Sequence, residues 1–516
     1  MRQFKKTSLS CRLNHQIAIK PPDKSNLLAG RAGLDFSGGA MKCRFIVFLF
    51  AFFPALERSA MAAGAYPGCA APPSSFPKSF TATPTTFASI LNAAAAGDVI
   101  RLNSGAYGAV SIANRKYEQF LTIEAGPGQT PVLSSLTVSG ASHLVFSGLT
   151  VNANGPRSKS PNGILVNLAS SNNIVFENSI VESTSGTYPW KSMGTVLNAT
   201  IAPSDGVNAA QDYCMALTGN QIRNVFNAIY VGGDEVGTDG QNYVVSGNKI
   251  DHFAGDGIDH SATNIIIAGN RITNGLDICE SKCIHNDAIQ GWNWDDKLGI
   301  TNKNVVIDGN FIQSQTVANL PFAVALQGIT IFDGFWQNVS ITNNVVLVSS
   351  NTGIGIAGVN GLHIVNNSVM DIPLNGAAQS LMYWMYTGMT WITAGGTTHE
   401  GGATTNVVVR NNIAPLIAAS AAASGNCPVT ESFCSHTANP NVVSDHNLSL
   451  VQTSYSPQTV FTTVNAATAQ YNLELKGTAP TNPAIGTGSA SLMPATDILG
   501  HTRSGAPDLG AYGVPP

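Results

Sequence analysis

Apolar residues along this chain come in short alternating runs, each closed by Gly-Asn or Asn-Asn and reopened by another apolar residue. The phrase reads Ile174-Val175-Phe176-Glu177-Asn178, Val244-Val245-Ser246-Gly247-Asn248 and Ile265-Ile266-Ile267-Ala268-Gly269-Asn270. It returns as Val305-Val306-Ile307-Asp308-Gly309-Asn310 and ends again at Asn344, Asn367 and Asn412. The shortest intervals are 22 residues (Asn248 to Asn270) and 23 (Asn344 to Asn367), and the 40 from Asn270 to Asn310 read as the same unit with an insertion. A short-strand repeat of this length predicts a solenoid.

Each repeat holds a second apolar phrase: Gly163-Ile164-Leu165-Val166, Ala228-Ile229-Tyr230-Val231, Gly257-Ile258-Asp259, Ala288-Ile289-Gln290, Gly328-Ile329-Thr330-Ile331 and Gly353-Ile354-Gly355-Ile356. Strand alternation turns each Ile inward and its neighbours outward. One outer row therefore reads Leu165, Tyr230, Asp259, Gln290, Thr330 and Gly355. A turn of about 22 residues holds three short strands, so coils stack about 4.8 Å apart as a parallel β-helix. The recurring Asn suits this stacking, because its amide bonds the Asn above and below and tolerates left-handed backbone. A helical reading fails for want of 3.6-residue periodicity.

These residues resemble the right-handed parallel β-helix proteins, the pectate-lyase-like superfamily, over Thr86 to Tyr512. Thr86-Phe87-Ala88-Ser89-Ile90-Leu91-Asn92, followed by Gly97-Asp98-Val99-Ile100-Arg101-Leu102, is similar to that family's N-terminal capping helix and first coil. Arg503 and Ala506-Pro507-Asp508-Leu509-Gly510-Ala511-Tyr512 resemble its closing tail. The resemblance implies an all-β, single-domain, right-handed parallel β-helix solenoid with loop insertions, and polysaccharide bound along one strand face. Fold alone does not decide function.

The N-terminus reads as an address. Met41-Lys42-Cys43-Arg44, an apolar run from Phe45 to Leu56, and Ala60-Met61-Ala62 form the three parts of an export signal at 41–62, too short to span a bilayer. Residues 1–40 read as an extension before the true start, and 63–516 as the β-helix domain, with coils over about 97–450 and a C-terminal cap over about 451–516. Without the first 62 residues the basic count is 26 − 10 = 16 and the acidic count 30 − 3 = 27, a net charge of −11. That balance argues against nucleic acid as a partner. Six cysteines remain, an even number that suggests disulfides in an exported chain. Proximity favours Cys279–Cys283 and Cys427–Cys434, with Cys69–Cys214 as the remainder. The expected state is a monomer, secreted or periplasmic, free of membrane once the signal is removed.

The candidate chemistry gathers in two adjacent repeats. Asp256, Asp259, His260, His285, Asp287 and Gln290 fall within a patch of about 10 Å given the coil spacing. Asp259, His260, His285 and Asp287 are candidate catalysts. Asp256, Asp259 and Asp287 are a candidate calcium site, carboxylates being the ligands of that hard ion. Tyr230, Lys282, Gln290, Trp292 and Trp294 are candidate substrate contacts, since aromatic faces beside carboxylates suit sugar rings.

Competing structural roles are visible as well. Asp256 and Asp287 stand where other repeats have Asn162 and Asn227, so both also read as turn caps. His260 stands where Val166 and Val231 do, which equally suits a buried His. Lys249 and Arg271 follow ladder Asn residues and read as a solvated basic row on another strand. The aromatic segment Met382-Tyr383-Trp384-Met385-Tyr386 with Trp391, like Phe335-Trp336, reads as a packed flap. Polygalacturonase-type signatures are absent apart from Asp295-Asp296, and Asp259-His260 lacks the proline of the Asp-Pro-His found in mannuronan epimerases.

The leading expectation is a lyase acting on a uronate-containing polysaccharide by β-elimination. His285 or His260 would be the base, calcium would neutralise the substrate carboxylate, and Tyr230 or Lys282 would supply a proton. The alternatives are a glycoside hydrolase using paired Asp residues and a non-catalytic glycan-binding adhesin.

Overall fold

A computed structural model describes residues 65–155, 163–185, 203–233, 240–276, 285–292, 301–320, 323–374, 390–396, 403–419 and 441–514. The export signal, Lys282, Trp294, residues 382–386 and the pairs Cys279–Cys283 and Cys427–Cys434 lie outside them. The described residues wind into a parallel β-helix with three strands per coil. One coil runs Thr263–Ala268, Arg271–Gly275 and Asp287–Gly291, and the next opens at Asn302–Asp308. The strands before the Asn turn form sheet A, those after it sheet B, and those closing the coil sheet C. Sheet A stacks thirteen strands, from Ser79–Ala82 to Val442–Asp445.

The Gly-Asn and Asn-Asn pairs divide two jobs at the turn between sheets A and B. The first residue bends the chain: Gly148, Asn178, Gly219, Gly247, Gly269, Gly309, Asn343, Asn366, Asn411 and His446 all have φ between 50° and 69°. Gly and Asn adopt that region at least cost. The second residue is the rung. Asn220, Asn248, Asn270, Asn310, Asn344, Asn367 and Asn412 each donate backbone N–H and side-chain Nδ2 to the Oδ1 of the next rung, at 2.9–3.1 Å. Asn178 is thus the bend and not a rung, because Ser179 fills the rung position and accepts from the Leu149 N–H. Asn220 and Asn447 are rungs that the repeat phrase did not reveal.

Sheet C carries the outer row. Its inward line runs Val166, Val207, Ile229, Ile258, Ile289, Ile329, Ile354 and Ile392, and the adjoining outward line Asn167, Asn208, Tyr230, Asp259, Gln290, Thr330, Gly355 and Thr393. Leu165 does not belong to that outer row; it is buried, and Asn167 takes its place. The coil Asp205–Ala210, whose Val207 pairs with Val166, sets this register. The small residue before each inward Ile is required. A Cβ at Gly206, Gly257 or Gly328 would come within 2.0–2.5 Å of a backbone oxygen of the next coil.

Both ends of the solenoid carry covering segments. Helix Phe87–Ala93 buries Phe87 and Leu91 against the first coils. The C-terminal tail runs back along the flank at the Asn turn, where Arg503 donates to Asn343 Oδ1 and to the Gly510 and Ala511 carbonyls. A disulfide joins Cys69 to Cys214 on sheet A. It pins the N-terminal segment where Tyr66 packs on the outward apolar stripe of Val145, Val175, Ala216 and Val244. Trp391 and Trp336 are no flap: they are buried in strands Trp391–Ala394 and Trp336–Thr342. Among the described residues no helix is long and apolar enough to cross a membrane.

Candidate functional site

Stacking of the coils explains where each candidate carboxyl points. Asp205, Asn227 and Asp256 begin successive sheet C coils, and each gives a side-chain oxygen to the next coil's backbone. Asn227 N–H donates to Asp205 Oδ1 at 3.3 Å, Asp256 N–H to Asn227 Oδ1 at 2.9 Å, and Asp287 N–H to Asp256 Oδ1 at 2.8 Å. Asp256 is therefore a rung, as its turn-cap reading implied. Asp287 breaks the series. Its Oδ2 lies 2.6 Å from His285 Nδ1 and its Oδ1 accepts from Thr330 Oγ1 at 2.9 Å.

Asp259 sits in the outer row between Tyr230 and Gln290, yet only 7% of it is exposed. Its Oδ1 has no hydrogen-bond partner among the described residues. The Trp292 ring lies 6.3 Å from that of Tyr230, whose hydroxyl donates to the Gly233 carbonyl. Gln290 and Trp292 are half-buried beside them.

Burial and mutual repulsion set the charge states. Burial first, then the charges of Asp256 and Asp287, push the Asp259 carboxyl well above the usual range, while the neighbouring Trp292 offsets part of that push. Burial and then Asp287 raise Asp256 to about 7. The Asp287 carboxylate raises His285 to about 9 through its charge and hydrogen bond, with smaller help from Asp256 and Asp333. The result is a buried carboxyl pushed toward its protonated form, a second one raised to about 7, and a half-exposed imidazole raised to about 9.

His260 is not on this face. Alternation turns it inward, where it is fully buried with its ring edge-on to Trp336 at 5.4 Å. A Cβ at Gly291 would stand 3.0 Å from its Nε2, so the glycine makes room for the ring. Neither ring nitrogen has a hydrogen-bond partner among the described residues, and burial lowers its pKa to about 3. Such a side chain reaches no substrate. Lys249 and Arg271 stack in register on sheet B, where the Arg271 guanidinium lies 4.2 Å from the Phe311 ring centre. Asp212, the other strongly raised carboxyl at about 8, bonds the Ser171 N–H in a buried turn away from the outer row.

Resident calcium does not fit the carboxylates. Asp287 spends its oxygens on His285 and Thr330, Asp256 Oδ1 holds a backbone N–H, and six or more oxygen ligands are needed. Among the described residues no group of three His, Cys, Asp or Glu is placed to hold a metal. Two members of the site escaped sequence reasoning: Thr330 as the anchor of Asp287, and Asp333 beside His285. Their only signal was the phrase Thr330-Ile331-Phe332-Asp333 one repeat beyond Gln290-Gly291-Trp292-Asn293.

No protein-family model matches the chain, and no curated protein matches it in sequence. Among solved structures it is similar to pectate lyase Pel9A, at 12% identity and a TM-score of 0.39, covering 85% of this chain and 96% of that one. It is also similar to XylC in complex with xylose, at 10% identity and a TM-score of 0.47, covering 84% and 98%. A third is the A-module of mannuronan C-5 epimerase AlgE6 from Azotobacter vinelandii, at 12% identity and a TM-score of 0.36, covering 70% and 93%. Likenesses of this size assign no activity to the chain.

Proposed function

We propose that the protein is an exported enzyme that hydrolyses glycosidic bonds of a polysaccharide bound along sheet C. One observation carries the reading: a buried carboxyl, Asp259, stands in the middle of an outward row beside Trp292 and a second carboxyl, Asp256, and burial raises the pKa of both, Asp256 to about 7. Carboxyls whose environments push their pKa values apart suit acid and base roles at one bond. Asp259 gives its proton to the glycosidic oxygen as the bond to the anomeric carbon breaks. Water attacks that carbon and Asp256 takes the water's proton. Asp287 is a positioning residue that orients His285, whose positive charge steadies the anionic partner. Trp292 and Tyr230 carry the sugar ring.

Two features weigh against the elimination mechanism expected from sequence: His260 is interior, and Asp287 raises His285 to about 9. Elimination with another base keeps one specific support, the half-exposed His285 cation, which suits a substrate carboxylate. The Cys69–Cys214 disulfide and the N-terminal pattern support export.

A screen of the purified chain from residue 63 against a panel of polysaccharides tests the proposal. New reducing ends without unsaturated products are expected, and Asp259→Asn should lose about 100-fold or more, the range of a general acid. Ultraviolet absorbance from unsaturated uronates would establish elimination and sink the hydrolytic reading.

A further inference from the structure

We infer that the polysaccharide bound by sheet C is uncharged, a neutral hexose or pentose chain rather than a polyuronate or a sulfated glycan. The inference rests on the reading of sheet C as the glycan face and names its substrate class. The sheet C strands from Ile164–Ala169 to Leu416–Ala418 contain no Lys or Arg among the described residues. Strand cations lie on the other sheets, among them Arg223, Lys249 and Arg271 on sheet B and Arg101, Lys116, Lys303 and Arg410 on sheet A.

At the site itself Asp256, Asp287 and Asp333 lie close enough to His285 to raise its pKa, and Asp287 already pairs with it at 2.6 Å. A chain with one carboxylate per sugar would find no Lys or Arg on the described sheet C strands and would meet carboxyls at the middle of the row, and such juxtaposition is how a surface rejects a partner. Carboxyls that lie largely out of water feel such a charge more strongly than solvated ones do.

What the face does offer is ring surface. Trp292 and Phe332 follow sheet C strands on adjacent coils, Trp292 reaching toward Tyr230 and Phe332 toward Gly355. A Cβ at Gly355 would meet Phe332 Cζ at 2.7 Å, so the glycine lets that ring lie across the row. Gln290 stands between them in the outer row. Aromatic faces with an amide between them match the C–H faces and hydroxyls of neutral sugars, and bind them independently of salt.

The test uses Asp259→Asn of the whole exported chain as a binding probe, run through affinity gels of neutral glycans (xylan, mannan, α- and β-glucans) and of pectate and alginate. Retardation by at least one neutral glycan, unchanged by added salt and weakened about tenfold by Trp292→Ala or Phe332→Ala, is expected. Retardation by pectate or alginate instead, or by no neutral glycan at all, overturns the inference. Neutral-glycan binding with no bond cleavage by the wild type would uphold this inference and sink the hydrolytic reading. Reducing ends released from a polyuronate would uphold hydrolysis and overturn the neutral substrate.

Discussion

Replacing the ladder residue Asn270 by Ala tests how far the Asn turn holds the solenoid together. Its Nδ2 donates to the Val245 carbonyl at 2.9 Å and to Asn310 Oδ1 at 2.9 Å, and its Oδ1 accepts from the Asn248 N–H and Nδ2, both at 3.0 Å. Alanine removes all four. Asn248 Nδ2 keeps the Leu217 carbonyl, and Asn310 Oδ1 keeps the Asn270 N–H. The Asn248 backbone N–H, fully buried, is left with no acceptor. An orphaned buried donor costs about 1–3 kcal/mol and each of the three further lost bonds about 1, so the expected loss is about 4–6 kcal/mol. The chain contains its own control. Ser179, at the first rung, accepts from the Leu149 N–H at 3.0 Å and donates to the Glu177 carbonyl at 2.8 Å. Asn270→Ser restores an acceptor in the same place and should cost roughly half as much as Ala. Urea unfolding followed by circular dichroism, at unchanged slope, measures both. Equal losses for Ser and Ala, or an Ala loss below about 1 kcal/mol, would refute the rung-by-rung account.

Proton NMR should find His285 titrating near 9, and Asp287→Asn should return it toward 6.5, because the carboxylate is the main cause of the shift; an unmoved His285 would remove Asp287 as its partner. With the folded value raised, the pair's stabilisation is complete below pH 6.5 and lost as pH rises through about 9, and a side chain 44% exposed keeps it small. His260 acts in the opposite sense. Its folded value is about 3, so it penalises the fold as pH falls below 6.5, by up to about 1.4 kcal/mol per pH unit. His260→Leu should flatten the acid side of a stability-versus-pH curve relative to wild type, and parallel curves would mean that the ring is already protonated in the fold. Loss of the Cys69–Cys214 bridge, which closes 145 residues, should lower stability by up to about 5 kcal/mol on loop-closure entropy. Reductant should lower the melting temperature of the wild type by more than that of the Cys69→Ser, Cys214→Ser chain; an equal fall in both would mean that this bridge does not carry the stability.

The sequence could be read wherever one coil repeats the last. Alternation settled that Tyr230, Asp259, Gln290 and Thr330 share an outward row, and the 22-residue interval settled that Asn248 stacks on Asn270. It failed where a coil departs from the phrase. The coil at Asp205–Ala210 lacks the Ile that marks the others, and through it the outward place expected of Leu165 belongs to Asn167. Asp256 and Asp287 look alike in sequence, two Asp before a small residue. Only the neighbouring coil shows one bonded to a backbone N–H and the other to His285 and Thr330.

What the chain alone determined is periodic: short strands, a bend that needs Gly or Asn, a rung that needs an amide, and glycines where the next coil presses close. These are local demands of backbone geometry, and each recurs often enough to be read. What the tertiary structure decided is the chemistry of the site. The raised pKa values of Asp259 and His285 and the interior place of His260 depend on burial and on charges brought from other coils. Electrostatic energy follows distance and desolvation, and neither is a property of a residue's neighbours in sequence.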